Sequence, residues 1–471
     1  MRTKNIAAGL IIIATALLFY ALLVSDANGF IKFLLSLVLL AGCGLSIQSL
    51  LGLEGEYGLL LIRTKKGLEY IDVLANAAPR FWQGCADFGT VLGFGASSIF
   101  FFKKIPKKTY LFSLFALIIV SQTMMQEVFH VVVTLINIPV ELGGLSDHGG
   151  PVDILLPIII IFSMLFFGFC GVTVVGLIAN SYSILSNIIG VILSVPGADL
   201  ADAVPGASPV IPGINMPLIE GLIALAFLLF IHEASHGILS RIGKIKLESA
   251  GLLLFGIVPV GAFVDPDEKS LAKKDIDVQT RVFSAGPASN MIVFIVMFFI
   301  LLAFESFSVP YLDPGVYVHS VDFNSSAYNA NITTGTSLVS IDNIPITWDN
   351  LEQFRSLVTD SESVTLQTDA GTHVLEPKES VPGGERTLGL RLPPQRYYLG
   401  DYYWMGFIKN TLGLIFVLNF LVGVINFMPM FMAFDGYRIL SLHTKNKMIV
   451  KIISYALLAM LLLNFVPWLW R

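Results

Sequence analysis

The stretch Phe227-Leu-Leu-Phe-Ile-His232-Glu233-Ala-Ser-His236-Gly237 places an H-E-x-x-H pattern inside an otherwise apolar run. Residues four apart lie on one face of a helix, about one turn along its axis. His232 and His236 can therefore turn both imidazoles toward one divalent metal, usually zinc, and Glu233 can take a proton from a metal-bound water. The alternative is a pair of packed histidines beside a neutral glutamate. We favour the metal site because polar side chains inside a transmembrane helix are costly unless they serve a function.

The composition of the whole chain is that of a membrane protein. Its 471 residues are 55% hydrophobic and 13% charged, whereas soluble domains carry roughly 25% charged residues. We therefore predict a polytopic α-helical membrane protein with room for one soluble domain. The net charge of -5 is small and spread out, which argues against nucleic acid as a partner. The three cysteines form no CxxC pair and predict neither a disulfide framework nor a cysteine zinc site.

Long apolar runs predict the membrane spans. The predicted spans cover residues 6–24, 30–53, 109–137, 218–240, 282–304, 403–427 and 448–468. Residues 152–196 are too long for one crossing and predict two helices that meet near Asn180-Ser-Tyr-Ser183. The span at 109–137 carries Glu127 and His130, which are either a second metal or proton site or a polar pair that faces the bundle interior.

Basic clusters predict which ends of the spans face the cytosol. These clusters are Lys103 to Lys108, Arg241 to Lys246, and His443 to Lys447. Counting crossings from the helix at 218 places all of them on one side. Between the spans, residues 250–264 are too short to cross and contain Gly256, Pro259 and Gly261, so we predict a re-entrant extended segment buried next to the metal. Residues 57–67 predict a strand or short segment on the cytosolic side.

Residues 306–398 differ in character from the rest of the chain. Turn residues, short β-rich runs and one amphipathic helix near 349–358 predict a soluble α+β domain. Sequons at Asn324 and Asn331 agree with a location outside the cytosol.

Two histidines need a third protein ligand to form a zinc site with one open position. Ile242 stands where some soluble metalloproteases carry a further histidine, and Glu248 lies past the predicted membrane edge. Asp435 is the better candidate, because it follows Pro429 at the cytosolic end of the 403–427 span, at the depth of His232 and His236. The alternative for Asp435 is a carboxylate at the membrane edge or a helix cap.

These residues together resemble the site-2 protease family of zinc intramembrane metalloproteases. The resemblance covers residues 218–470, and an archaeal-type resemblance extends weakly upstream to Arg63-Thr-Lys-Lys-Gly67 and Pro209-x-x-Pro212-Gly213. Its motifs are His232-Glu233-Ala-Ser-His236, Gly261-Ala-Phe-Val followed by Asp265, Gly286-Pro287-x-x-Asn290, and Asn426-x-x-Pro429 leading to Asp435-Gly436. Asp435 lies six residues after Pro429, where the family usually has five, and we expect an irregular linker to absorb the extra residue. The insert resembles a PDZ domain at 324–330 and 340–343.

The resemblance implies a fold and a division of the chain. The fold is a site-2 protease-like transmembrane core with a re-entrant β segment and an inserted PDZ-like domain. The expected parts are an N-terminal transmembrane part (1–200), two halves of the protease core (201–305 and 399–471), and the PDZ-like domain (306–398). The expected location is the cell membrane of an archaeon, with the PDZ-like domain outside the cytosol.

The resemblance also implies an activity and the residues that perform it. One Zn²⁺ per chain is held by His232, His236 and Asp435, Glu233 activates water, and Asn290 and Asn426 orient the substrate or its oxyanion. The expected reaction is cleavage of transmembrane segments of membrane-anchored proteins near the cytosolic face. The expected partners are that substrate, the lipid bilayer, and a peptide or substrate ectodomain at the PDZ-like domain. The alternatives are an inactive family member, or a transporter or scaffold that retains a metal-like motif.

Overall fold

The computed structural model describes residues 2–25, 29–128, 131, 151–195, 199–200, 203–208, 210–379, 386–393 and 396–469. The chain forms two compact units. The first comprises Met1–Leu301 and Asn410–Arg471, and the second comprises Leu302–Lys409. His130, most of the loop at 138–151, and Pro209 lie outside the described residues, so the Glu127–His130 pair stays a prediction.

Helices dominate the first unit and are fewer and shorter in the second. In chain order the helices that concern us are α1 (Arg2–Leu23), α2 (Gly29–Leu51), α3 (Leu68–Ala77), α4 (Pro79–Phe94), α5 (Lys107–Thr123), α6 (Pro151–Ile192), α7 (Leu218–Ile242), α8 (Glu268–Leu271), α9 (Ile276–Ser308), α10 (Ser326–Asn329), α11 (Leu351–Asp360), α12 (Trp404–Phe427), α13 (Asp435–His443) and α14 (Lys447–Phe465). Within the described residues, eight helices are long and apolar enough to cross a membrane. This confirms the predicted polytopic helical membrane protein.

The break in the long helix α6 lies at a different residue from the predicted one. Gly168 leaves helical geometry with φ 64° and ψ −155°. A side chain there would strain the backbone and would collide with the carbonyl oxygens of Leu92 and Gly93 on α4. The prediction of a break near Asn180–Ser183 was therefore wrong. Those residues continue the helix, and Asn180 is polar because its Nδ2 donates to Oδ1 of Asn464, at 2.8 Å.

The helix at the third predicted span, 109–137, is shorter than expected. α5 ends at Thr123, and Met124 breaks the helical pattern before residues 125–128 resume it. Over its described part, the predicted span at 109–137 is therefore interrupted at Met124. The prediction of one regular helix was too long.

The predicted re-entrant segment is a β-hairpin within a four-stranded sheet. Its strands are β1 (Glu54–Glu56), β2 (Leu59–Thr64), β3 (Leu247–Phe255) and β4 (Val258–Pro266), which pair antiparallel in that order. β2 is the predicted cytosolic strand, and it pairs with β3 from Leu59↔Phe255 to Thr64↔Ala250. β4 therefore lies at the edge of the sheet. Gly256 forms the hairpin turn with φ 61°, where a side chain would collide with the backbone of Leu40.

The second unit is an α+β fold. In chain order its strands are β5 (Val316–Tyr317), β6 (Ser320–Val321), β7 (Ser337–Ile341), β8 (Ile344–Pro345), β9 (Val364–Thr368), β10 (Gly371–Leu375), β11 (Lys378–Glu379), β12 (Arg386–Thr387) and β13 (Leu390–Arg391). Its main sheet has the order β10-β9-β7-β5, with β8 added to β7. The alternation of Val364 and Leu366 with exposed residues buries one face of β9. The strands and α11 agree with an α+β unit, and the likeness to a PDZ domain stays a prediction.

Close helix packing and one buried ion pair hold α4 against α9. Gly89 on α4 leaves no room for a side chain against Ala288 on α9. Near it on α4, Asp87 accepts two hydrogen bonds from Arg281, at 2.7 Å from Nε and 3.0 Å from a terminal nitrogen. α9 also meets α12, where Gly423 lies against Asn290. These contacts place α9 between α4 and α12, beside the histidines of α7.

Candidate metal centre

Two buried side chains, His232 and Asp435, and the half-buried His236 converge on one point from two separate helices. His232 and His236 lie one turn apart on α7, and Asp435 is the first residue of α13. Their donor atoms form a triangle, with 3.3 Å between the two Nε2 atoms and 3.4 and 3.3 Å from these atoms to Oδ2 of Asp435. The structure thus brings together the three residues that the sequence singled out as ligands.

The size of this triangle fits a tetrahedral metal site. Zinc bonds of about 2.0–2.1 Å place neighbouring tetrahedral donors about 3.3–3.4 Å apart. The three measured separations are 3.3, 3.4 and 3.3 Å. Two imidazole nitrogens and one carboxylate oxygen are also donors that zinc accepts, and they leave one position open. The residues present therefore fit a single Zn²⁺.

Gly286 of α9 leaves the space that such an ion needs. A Cβ on this residue would collide with Nε2 of His232 and Nε2 of His236 at the same time. The backbone of α9 therefore passes so close to these donor atoms that a residue with a side chain would not fit at this position. In the sequence, Gly286 stands out only as part of the Gly286-Pro287-x-x-Asn290 motif, and nothing there shows that it faces the two histidines.

Residues 282, 286 and 290 form one face of α9 that runs along both histidines; we call it the α9 stripe. At its first position, Nδ1 of His236 lies 2.7 Å from the carbonyl oxygen of Val282, to which it can donate. At its last position, Nδ2 of Asn290 lies 3.1 Å from Nδ1 of His232. The spacing of four matches the spacing of the histidines on α7, so each imidazole meets a polar group of α9 behind its Nε2 atom.

Glu233 lies beside the triangle and contacts the edge strand of the sheet. Its Oε2 accepts a hydrogen bond of 3.0 Å from the backbone N–H of Val264 on β4. The residue lines a cavity of about 340 Å³ together with the three ligand residues. It also lines an apolar cavity of about 770 Å³ that shares residues 261–264 with the first. Glu233 thus stands between the ligands, the edge strand and an apolar space.

Asp435 reaches the site through an irregular linker. After α12 ends at Phe427, residues 428–434 form turns, and Ser454 of α14 donates to the carbonyl oxygen of Pro429. Gly436 lets the start of α13 approach the backbone of Phe427, where a side chain would collide. The linker is not helical, so the six-residue spacing from Pro429 does not turn Asp435 away. Glu248, the other acid considered, is exposed on β3.

The electrostatics of Asp435 favour the ionised form. Burial alone would raise the pKa of this carboxyl, but the charge of His236 and the hydrogen bonds of both histidines outweigh it and hold the pKa below its usual range. A carboxylate that stays ionised is the form that can bind a cation.

The two asparagines proposed from the sequence lie in different surroundings. Asn426 on α12 lines the 340 Å³ cavity, and its Nδ2 donates to Val422 of the same helix at 3.1 Å. Asn290 is fully buried behind His232. Sequence reasoning missed Arg438, which lines the same cavity one turn after Asp435 and lies 5.7 Å from the ring of Phe283. Arg438 stands three residues after Asp435, on the same face of α13, and this spacing could have identified it from the sequence.

Residues 220–464 match the sequence pattern of peptidase family M50. This stretch includes all three ligand residues, Glu233 and the α9 stripe. The chain belongs to peptidase family M50. The match confirms the resemblance to the site-2 protease family.

Two relatives match the chain over part of their lengths. The chain is 27% identical over 251 residues to the "Uncharacterized protein MJ0971" of Methanocaldococcus jannaschii, covering 51% of this chain and 63% of that protein. It is 24% identical over 173 residues to the "Putative zinc metalloprotease CA_C1796" of Clostridium acetobutylicum, covering 32% of this chain and 49% of that protein. The chain thus spans less than two thirds of these curated relatives. Family membership supports a multi-pass membrane protein and a zinc metalloprotease of the site-2 protease type.

Proposed function

We propose that this M50 protein is a zinc-dependent endopeptidase that cleaves membrane-anchored proteins within their transmembrane segments, near the cytosolic face. The observation that carries the proposal is the triangle of His232, His236 and Asp435, with donor separations of 3.3–3.4 Å, beside Glu233. These four residues lie among helices long and apolar enough to cross a membrane. A soluble substrate would have to enter that apolar core, whereas a transmembrane segment is already there.

The three candidate ligand residues would hold the ion through Nε2 of each histidine and Oδ2 of Asp435. The ion would supply Lewis-acid chemistry, lowering the pKa of a water toward neutrality and polarising the scissile carbonyl. The carboxylate of Glu233 takes the proton of the attacking water and later gives it to the leaving amine. Proton balance is kept, because the proton that Glu233 accepts in the first step is the one it donates in the second.

The edge strand β4 offers a way to hold the substrate in an extended form. A transmembrane helix keeps its carbonyls in hydrogen bonds, so it must unwind before a peptide bond can be attacked. β4 lies at the edge of the four-stranded sheet and forms one wall of the 340 Å³ cavity through residues 261–264. An unwound segment can pair with this edge by strand addition. Glu233 contacts Val264 of the same strand, so an added strand comes directly beside the base.

Two further kinds of partner belong to the proposal. The lipid bilayer surrounds the apolar helices. The α+β unit at 302–409 binds a peptide or the ectodomain of the substrate, as its sequence likeness to a PDZ domain suggests. The unit lies outside the cytosol by the crossing count from α7.

The first prediction tests Glu233 as the base. We expect Glu233→Gln to lower the cleavage rate of a single-span model substrate by about 10²–10⁴-fold, because an amide cannot accept the proton. The zinc content per chain stays at the wild-type value, because Glu233 is not a ligand. Cleavage is measured by gel assay in detergent micelles, and zinc by atomic absorption.

The matched control is Glu220→Gln, which removes an acid from the first turn of the same helix. We expect this variant to cleave at the wild-type rate. A Glu233→Gln protein that cleaves as fast as wild type contradicts the proposed mechanism. A wild-type protein that holds no stoichiometric zinc, or a His236→Ala variant that keeps it, favours the alternative of a transporter or scaffold with a metal-like motif.

A further inference from the structure

Asn290 combines complete burial with an unsatisfied polar atom. Its relative exposure is 0%, and its Nδ2 lies 3.1 Å from Nδ1 of His232. Within the part of the chain that the structure describes, its Oδ1 has no hydrogen-bond partner. A buried amide oxygen without a partner is costly, so the residue needs an explanation other than packing.

The chemistry of a metal-binding imidazole supplies that explanation. An imidazole that binds a cation through Nε2 uses its lone pair there, so its proton resides on Nδ1 and needs an acceptor. His236 has this acceptor in the carbonyl oxygen of Val282. Among the described residues, the group that lies behind Nδ1 of His232 is the amide of Asn290. A rotation of this amide by 180° exchanges its two ends and brings Oδ1 to Nδ1.

The observed amide orientation suits the opposite tautomer of His232. With the proton on Nε2, His232 can donate to Oδ2 of Asp435 at 3.4 Å, while Nδ1 accepts from Nδ2 of Asn290. An amide can therefore pair with Nδ1 in both tautomers, since it carries a donor at one end and an acceptor at the other. A carboxylate at this position would pair only with the metal-binding tautomer, and an apolar side chain with neither.

We propose that Asn290 is a positioning residue for the metal ligand His232. In the metal-bound enzyme its Oδ1 accepts the hydrogen bond from Nδ1–H of His232, which fixes the tautomer and the ring orientation that direct Nε2 to the ion. The inference rests on the proposed function only through the assignment of His232 as a ligand. It replaces the substrate-orienting role expected from the resemblance, because Asn290 lies behind the imidazole and is not among the described residues that line the 340 Å³ cavity.

The test measures zinc affinity by competition with a chelator on the full-length protein in detergent. We expect Asn290→Leu to bind zinc about 10–100-fold more weakly than wild type, the usual loss when the hydrogen-bond partner of a metal-binding histidine is removed. We expect Asn290→Asp to bind zinc within a few-fold of wild type, because a carboxylate accepts the same hydrogen bond. The visible spectrum of the Co²⁺-substituted protein gives a second readout, in which only the Leu variant loses the wild-type band positions.

Asn419→Leu is the matched control. Asn419 is also fully buried, its Nδ2 donates to Ile415 of its own helix at 2.7 Å, and within the described residues its Oδ1 has no partner either. Since Asn419 makes no hydrogen bond to either histidine, we expect its variant to keep wild-type zinc affinity. An equal loss in both variants assigns the effect to packing and overturns the proposal.

Two other outcomes also overturn it. Wild-type zinc affinity in Asn290→Leu contradicts the positioning role. If that zinc-loaded variant also cleaves more slowly than wild type, the result favours the substrate-orienting role of Asn290 instead. If Asn290→Asp binds zinc much more weakly than wild type, the donor end of the amide is the group that matters, and the proposal fails. If the Leu variant does not fold, the zinc affinity of Asn290→Asp decides the test by itself. His232→Ala separates the two proposals, because wild-type zinc affinity in that variant contradicts the ligand set itself.

Discussion

The two helices beside the metal centre, α7 and α9, contribute in opposite ways. α7 carries the two candidate ligands His232 and His236 at the spacing of one turn, and this pattern is visible in the sequence by itself. α9 runs past the same atoms with the same spacing of four but offers a carbonyl, a glycine and an amide. The two candidate histidine ligands thus come from one helix, whereas the polar groups behind their rings come from a second helix that contributes no candidate ligand.

One added carbon atom on α9 is enough to test how closely this helix approaches the two histidines. We expect Gly286→Ala to reduce the zinc content per chain to background, because its Cβ would collide with Nε2 of both histidines. We expect the cleavage rate of the single-span model substrate to fall in proportion to the zinc content. Zinc is measured by atomic absorption on the purified protein.

The control adds the same methyl group where the structure has room for it. Among the described residues, no atom other than those of its chain neighbours and of the adjacent backbone of its own helix lies within 4 Å of the position that a Cβ on Gly176 of α6 would take. We therefore expect Gly176→Ala to keep its zinc. A Gly286→Ala protein with one zinc per chain contradicts the close approach of α9, and the α9 stripe then has no role in the site.

The sequence was informative where structure is local. The H-E-x-x-H pattern predicts a one-turn spacing because helical periodicity alone determines it. Asp435 was selected by counting crossings and comparing depths, and the structure places it 3.3–3.4 Å from the histidines. Hydropathy also predicts most of the spans, because each must be about 20 apolar residues long whatever it packs against. It missed the helical stretch Pro79–Phe101, which is also long and apolar enough to cross a membrane.

The sequence was uninformative where two distant segments must fit each other. The pairing of β2 with β3 joins residues about 190 positions apart, and no local pattern encodes that register. The break at Gly168 follows from the close approach of α4, whereas the polar run at 180–183 suggested a break that does not exist. The role of Asn290 depends in the same way on which helix lies behind His232.

An ion pair anchors α9 to α4, and one substitution removes it. Arg281, next to Val282 of the α9 stripe, is held by the buried carboxylate of Asp87 on α4. We expect Asp87→Leu to lower the free energy of unfolding by about 3–5 kcal/mol, because it leaves the guanidinium without its partner. The measurement is thermal or denaturant unfolding in detergent, with zinc present in excess.

Two further variants test whether the loss comes from the stranded charge. Asp87→Leu combined with Arg281→Met should recover most of the stability, since no charge remains buried. Asp322→Asn removes the partner of Arg391 in an exposed ion pair of the other unit, and it should cost less than about 1 kcal/mol. A double variant that is no more stable than Asp87→Leu contradicts this account of how α9 is anchored.

The smallest effect concerns the far end of α13, the helix that begins with Asp435. His443 ends this helix, and its Nε2 lies 2.8 Å from Oγ1 of Thr280 on α9, while its ring contacts Phe101. Burial lowers the pKa of His443, and the charge of Asp277 opposes the shift only in part. The α9 helix thus contacts the end of α13 through a histidine that favours the neutral form.

The sign of the pH dependence follows from that lowered pKa. Above the unfolded-state pKa of about 6.5, His443 is neutral in both states and the contribution to stability is complete. As the pH falls below this value, the unfolded chain binds the proton first, so stability declines until the folded-state pKa is passed.

We expect His443→Asn, which can still pair with Thr280, to lose less stability than wild type between pH 7 and pH 5, by less than about 1 kcal/mol. Unfolding curves at several pH values measure the difference, and His319→Asn, at an exposed histidine of the other unit, should show the wild-type slope. If His443→Asn keeps the full wild-type slope, then the contact between α9 and the end of α13 does not respond to pH, and α9 acts on the metal centre only through the stripe.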